Sequence, residues 1–254
     1  MDLELQGKRA IVTGASRGIG FAIAKALAAE GCALGLIARG EEGLARAAEA
    51  LRAEGVQVEY AAADVTDGMA HARALERLVN ALGGVEIAVA NAGGSAPGGA
   101  LDAPDATWHA AWELNFLSAV RLVRGCAPHM EQAGYGSAII ISSISGLEAF
   151  GRPTYVAAKA ALHGLAKTAA QEGAKKGIRV NAIAPGSIVF PGGSWDRRRI
   201  EAPELYAEVE RSIPAGRLGT PEEVANVAAF LASPRASWIS GTVIVVDGCQ
   251  THGF

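Results

Sequence analysis

The chain has 254 residues, half of them hydrophobic and 19% charged, with 23 basic residues against 26 acidic ones and a formal net charge of −3. That composition excludes a disordered chain and argues against nucleic acid or an anionic membrane as the main partner, which leaves a small molecule. Its length suits one large α/β domain. The first residues, Met1–Gly7, carry acids where a secretory signal has basic and then apolar residues, and no apolar stretch reaches membrane-spanning length, so a cytoplasmic protein is expected. Cys32, Cys126 and Cys249 are scattered and form no C-x-x-C pair; they are expected to be small apolar fillers.

Short β-rich apolar runs alternate with Ala/Leu-rich amphipathic stretches from end to end, the pattern of repeated βα units. Strands are predicted at Arg9–Thr13, Ala33–Ala38, Val56–Ala62, Ile87–Ala90, Ser137–Ser142, Arg179–Ile183 and Thr242–Val246. Most are apolar on both faces, as in a buried parallel sheet. Helices are predicted near 18–30, 41–54, 68–82, 105–133, 153–175 and 221–232, the last opened by a Thr N-cap, a Pro and two acids at the positive end of the dipole. Only Pro185–Pro214 departs from the alternation. It is expected to be a loop with one short helix around Glu204–Arg211, beyond the carboxyl end of the sixth strand, serving as a substrate lid near 187–213 in which Trp195 closes over an apolar substrate. With no internal boundary, residues 1–254 are expected to form a single doubly wound domain of the Rossmann type around a seven-stranded parallel sheet.

Between the first strand and the first helix stands Thr13-Gly14-Ala15-Ser16-Arg17-Gly18-Ile19-Gly20. A tight turn there brings the backbone close to a pyrophosphate, and the unpaired N–H groups of the helix start bind its charge. Tyr155 and Lys159 lie one helical turn apart on one face, so the ammonium is expected to lower the phenol from its ordinary pKa of about 10 towards general acid/base duty. The fifth strand ends in Ser142-Ser143-Ile144-Ser145-Gly146, placing hydroxyls at the carboxyl edge where ligands bind. Asn115 interrupts a helical pattern, which suits a buried hydrogen-bonding role. His163, on the Tyr155 helix, is expected to be a packing or surface residue, and the histidines show no metal-ligand spacing, so no metal is expected.

The glycine turn, spaced G-x-x-x-G-x-G, together with Asp64-Val65, Asn91-Ala92-Gly93, the Tyr155/Lys159 pair and Pro185-Gly186-Ser187-Ile188, resembles the motif set of the classical short-chain dehydrogenases/reductases, over essentially the whole chain. The resemblance implies a nicotinamide dinucleotide held by Gly14, Ser16, Gly18, Ile19, Gly20, Asp64, Val65, Asn91, Ala92, Gly93, Tyr155, Lys159, Pro185, Gly186 and Ile188. It also implies catalysis by Asn115, Ser143, Tyr155 and Lys159. The usual threonine two residues after Ile188 is Phe190, which removes one cofactor hydrogen bond and leaves Phe190 to shape the lid. The second strand ends in Ile37-Ala38-Arg39-Gly40 without the acid that would bind a ribose 2′-hydroxyl, so Arg17 and Arg39 are expected to converge on a 2′-phosphate, giving NADP(H). The expected reaction interconverts a small-molecule carbonyl and an alcohol, with a 3-oxoacyl reductase as the family-based candidate; an NAD-dependent alcohol dehydrogenase and a non-catalytic nucleotide sensor are the alternatives. A homotetramer follows from the same resemblance.

Overall fold

The computed structural model describes residues 1–95 and 97–253. The apolar runs pair as one parallel sheet of seven strands: β1 (Arg9–Thr13), β2 (Ala33–Ala38), β3 (Val58–Ala62), β4 (Ile87–Ala90), β5 (Gly136–Ile141), β6 (Ile178–Pro185) and β7 (Val243–Val246). Their order is β3-β2-β1-β4-β5-β6-β7, so the chain starts mid-sheet, runs to one edge and returns to build the other half. The reversal lies between β1 and β4, the place where such sheets leave a crevice at the strands' carboxyl ends.

Both faces are covered, which explains the uninterrupted apolar runs. Helices α1 (Gly18–Ala29), α2 (Glu41–Arg52) and α9 (Pro221–Ala232) close one face, where Ile23, Leu27, Leu44 and Val224 share a core with Val12, Leu34 and Ile139. On the other face α3 (Gly68–Leu82), α5 (Ser118–Ala133) and α6 (Pro153–Gly173) bring Leu78, Leu122 and Leu162 into a core with Ile11, Ile37 and Ile140. Neighbouring residues of one strand thus enter opposite cores, Ile11 one and Val12 the other, as the period of two requires. The opening of α9 is as expected: Glu223 Oε2 accepts from the Thr220 N–H at 2.8 Å.

Two elements differ from the sequence expectation. The helix expected over 105–133 is α4 (Asp105–Trp112), a π-helical turn (Glu113–Leu117) and then α5. Asn115 sits inside that turn, where an inserted residue widens the helix and shifts its phase. The lid carries two helices rather than one, α7 (Ser194–Glu201) and α8 (Pro203–Ser212). Trp195 is buried between them, edge-on to Tyr206 at 6.4 Å between ring centroids and clustered with Val209, Ile213 and Leu218. Its expected place over a substrate is therefore corrected: in a segment otherwise rich in charge, Trp195 is the large apolar side chain of α7 that is buried, Ile200 being exposed, and it holds the two helices together.

Candidate active site

The turn after β1 is fitted to the turn after β4. Thr13 Oγ1 accepts from the N–H groups of Asn91 and Ala92 at 3.0 and 3.2 Å, and Asn91 Nδ2 donates to the carbonyls of Thr13 and Gly14 at 3.0 and 3.2 Å. Close approach makes glycine obligatory here. A Cβ on Gly14, whose φ is +66°, would stand 2.7 Å from Asn91 Nδ2, and one on Gly20 would stand 2.4 Å from the Gly14 carbonyl oxygen. Helix α1 then begins with no acid in its first turn and no side-chain cap from Arg17, which leaves its amino end suited to an anion. A glycine-lined backbone cradle at a helix start fits the pyrophosphate of a dinucleotide.

A cleft of about 380 Å³ opens beside this turn, lined by Ser16, Arg17, Gly18, Phe21, Gly43 and Phe190. Phe190 lays its ring against Gly18, so close that a Cβ there would lie 2.6 Å from Cζ. Arg17 Nη1 donates to the Gly192 carbonyl, in the segment between β6 and α7, at 3.3 Å. Arg39 is exposed beside Asp64, whose carboxyl is held below its ordinary pKa first by the Thr66 N–H and hydroxyl, at 2.9 and 2.8 Å, and then by the Arg39 charge. Val65 is buried in the α3/α5 core, and Ile19 packs against the core of the opposite face. The β6 extension keeps Pro185 in the sheet; Gly186 N–H donates to the Val246 carbonyl at 3.0 Å, and buried Ile188 bridges Gly219.

The catalytic candidates meet at the carboxyl edge of β4 and β5. Lys159 is 3% exposed, with Nζ 2.7 Å from the Ile141 carbonyl, to which it donates, and 5.5 Å from the centre of the Tyr155 ring. Burial brings its pKa down to about 8. Tyr155 behaves otherwise than expected: burial pushes its phenol up, and a hydrogen bond to Ser143 offsets this only in part. The lysine is not among the groups that lower it; its Nζ hydrogen-bonds the Ile141 carbonyl rather than the phenol. Asn115 is buried; its Oδ1 accepts from Gly94 N–H at 3.0 Å, and its Nδ2 donates to the carbonyls of Gly94 and Ala111, each at 2.9 Å. Gly93 lies between Asn115 and Lys159, since a Cβ on it would be 2.9 Å from Asn115 Oδ1 and 3.2 Å from Lys159 Nζ.

Ser143 Oγ accepts from the Ser145 N–H at 3.1 Å, which fixes the short helical turn after β5. Ser142, at the carboxyl end of β5, donates to the Lys159 carbonyl at 3.0 Å and meets His163 Nε2 at 2.7 Å. His163 is thus no mere packing or surface residue but one end of a strut between β5 and α6; burial, then the Lys159 charge, lowers its pKa. Neither this strut nor the Thr13 clasp was legible as part of the site, because each joins residues 21 to 79 positions apart. The only sequence signal was a hydroxyl at a strand's carboxyl end.

Comparison with known proteins gives one answer. The family model described as Enoyl-(Acyl carrier protein) reductase matches residues 14–251. The 3-oxoacyl-[acyl-carrier-protein] reductase FabG of Escherichia coli (strain K12) is 37% identical over 247 residues, 97% of this chain and 98% of that protein. Among solved structures, the L-sorbose reductase of Gluconobacter frateurii, complexed with NADPH and L-sorbose, superposes with a TM-score of 0.93 at 35% identity, covering all of both chains. A 7α-hydroxysteroid dehydrogenase complexed with NADH and 7-oxo glycochenodeoxycholic acid does so with a TM-score of 0.91 at 34% identity, covering 98% of this chain and 96% of that one. With that likeness running from the glycine turn to the last strand, the chain belongs to the short-chain dehydrogenase/reductase family of oxidoreductases.

Proposed function

We propose that the protein is an NADP(H)-dependent oxidoreductase interconverting a carbonyl and a secondary alcohol, with 3-oxoacyl thioesters the first substrates to test. The observation that carries the reading is the meeting of Asn115, Ser143, Tyr155 and Lys159 at one sheet edge, next to a glycine cradle made for a pyrophosphate. A bound nicotinamide dinucleotide supplies or takes up the hydride. Gly14, Ser16, Gly18, Ile19 and Gly20 would hold its pyrophosphate side, Asp64, Val65, Asn91, Ala92 and Gly93 its adenosine and ribose, and Lys159, Pro185, Gly186 and Ile188 its nicotinamide end. Ser143 and Tyr155 hydrogen-bond the substrate oxygen, and in reduction Tyr155 donates the proton. A phenol is protonated at neutrality even at its ordinary pKa of about 10, the form a proton donor needs, and burial raises it further. Lys159, with Asn115 and a water, would link Tyr155 to solvent, the source from which its proton is restored.

Arg39 supports the preference for NADP(H), because a cation stands where an acid would repel a 2′-phosphate; Arg17, now on the lid, can join it by leaving Gly192. The lid near 187–213 is the proposed source of substrate selectivity, and the family resemblance supports a homotetramer. No described helix is long and apolar enough to cross a membrane.

One assay tests the reading: NADPH and NADH oxidation by the wild type, Tyr155→Phe and Arg39→Asp against oxoacyl thioesters, ketoses and ketones. Turnover by the wild type should be lost in Tyr155→Phe with NADPH affinity kept, and Arg39→Asp should lower the NADPH-to-NADH ratio of kcat/KM by about 10–100-fold, the range of one lost charge-assisted contact. Full turnover by Tyr155→Phe removes the mechanism; an unchanged cofactor ratio removes the NADP(H) assignment.

A further inference from the structure

Gln250 stands near the carboxyl end of the chain, outside every motif described above, yet it is 8% exposed and spends its whole amide on one residue of the site wall. Its Oε1 accepts from the Ser187 N–H at 2.8 Å, and its Nε2 donates to Ser187 Oγ at 3.0 Å. Ser187 is itself buried. It lies just beyond β6, whose neighbour β5 leads to Ser143, for the Ser142 N–H donates to the Ile183 carbonyl at 2.7 Å. Gln250 is therefore bound to the stretch of main chain that flanks the catalytic serine.

The approach is built, not incidental. Asp247 ends the last strand's turn by accepting from the N–H groups of Cys249 and Thr251 at 2.9 and 2.7 Å and from the Thr251 hydroxyl at 2.8 Å. Gly248 and Cys249 both take positive φ, 65° each, and this reversal returns Gln250 to β6. On the receiving side a Cβ on Gly186 would stand 2.7 Å from Asp247 Cβ and 2.8 Å from Gln250 Oε1, so only glycine admits the contact. The opposite side of the segment is held by backbone alone, with Gly219 N–H donating to the Ser187 carbonyl and Val189 N–H to the Gly219 carbonyl, each at 2.9 Å. Past Gln250 the tail reaches the turn after Ser143, where the N–H groups of His252 and Gly253 donate to Glu148 Oε1 at 2.5 and 3.0 Å. The tail thus straps both walls of the catalytic edge.

We propose that Gln250 is a positioning residue for the oxidoreductase reaction: through Ser187 it fixes the main chain of Gly186–Ile188, and so the placing of the nicotinamide end of the dinucleotide against Tyr155. This rests on the dinucleotide reading of the preceding section. A buried amide that merely filled space would support all parts of the cofactor equally. One that fixes this segment supports the nicotinamide end alone.

The experiment compares Gln250→Met, similar in volume but unable to make either bond, with Gln250→Glu, which still accepts from the Ser187 N–H and can take the Ser187 hydroxyl as a donor. Binding of NADPH and of 2′,5′-ADP, which lacks the nicotinamide half, is measured by titration, with kcat and thermal melting alongside. Gln250→Met should bind 2′,5′-ADP within about twofold of wild type while NADPH affinity and kcat each fall about tenfold, the usual scale for stranding a buried donor. Gln250→Glu should recover most of both. Should Gln250→Met be insoluble, Ser187→Ala removes one of the two bonds and should shift NADPH but not 2′,5′-ADP in the same direction. Unchanged NADPH affinity and kcat, or equal weakening of both ligands together with a lowered melting temperature, overturns the proposal. A wild type that binds neither ligand overturns the NADP(H) reading, and one that also fails to bind NADH overturns the dinucleotide reading itself, outcomes separate from normal binding by wild type and Gln250→Met alike.

Discussion

Individual side chains carry the sharpest consequences of burial. His71 on α3 is 1% exposed, neither ring nitrogen has a hydrogen-bond partner among the described residues, and burial, followed by the Arg121 charge, brings its pKa down to about 4. The folded state therefore takes up this proton less readily than the unfolded chain, whose histidine titrates near 6.5. The stability it contributes is whole above about pH 6.5 and is lost as pH falls towards about 4, at most about 3 kcal/mol. Urea unfolding at pH 7.5 and 5 should show a smaller pH difference in His71→Leu than in the wild type; an equal difference assigns the acid sensitivity elsewhere. Sequence reading placed Tyr155, Lys159, Ser143 and Asn115 together but misjudged what they do to one another. Whether Lys159 Nζ hydrogen-bonds the phenol or the Ile141 carbonyl depends on a side-chain direction that spacing does not encode.

At the scale of elements, glycines that look alike in sequence divide by what surrounds them. Gly20 in α1 and Gly164 in α6 are both helical, and alanine is the better helix former by about 1 kcal/mol. On Gly20 that gain is reversed, because the new Cβ would meet the Gly14 carbonyl at 2.4 Å and neither backbone segment can yield. Gly164 has nothing within 4 Å of its Cβ position. Gly20→Ala should lose about 1–3 kcal/mol in denaturant melts and weaken NADPH binding, whereas Gly164→Ala should gain about 1 kcal/mol. The reverse order would mean the turn is not packed as described. Strand positions were legible because burial on both faces leaves a continuous apolar run. The π-helical turn was legible only as an ill-placed asparagine, since one inserted residue changes hydrogen bonding without changing composition. The second lid helix was hidden by its charges: Asp196, Arg197, Arg198 and Arg199 fell in the expected loop and instead lie in α7, with the three arginines exposed.

For the whole molecule, the sheet is shared by two cores, one on each face, and every strand from β1 to β6 contributes to at least one of them. A boundary between independently melting parts has nowhere to fall, and unfolding should be a single cooperative transition. Because the cradle exists only in the folded chain, NADPH should raise the melting temperature through about 2.7 kcal/mol at a hundredfold excess over its Kd. A calorimetric trace with two transitions, or a melting point indifferent to NADPH and NADH alike, would count against this picture. The doubly wound topology could be read from alternation, whereas the tail's return to the site could not, for its partners are distant in sequence and its residues unremarkable in type. The lid is the exception to this shared architecture. Trp195, Tyr206, Val209, Ile213 and Leu218 cluster with one another rather than joining either main core, so the helical stretch 194–218 packs as a unit of its own, with Phe190 anchoring its stem on the first core. Such a segment can be exchanged for a relative's by grafting, or diverge by descent, while the machinery beneath it stays as it is; new substrates can be acquired without rebuilding the enzyme.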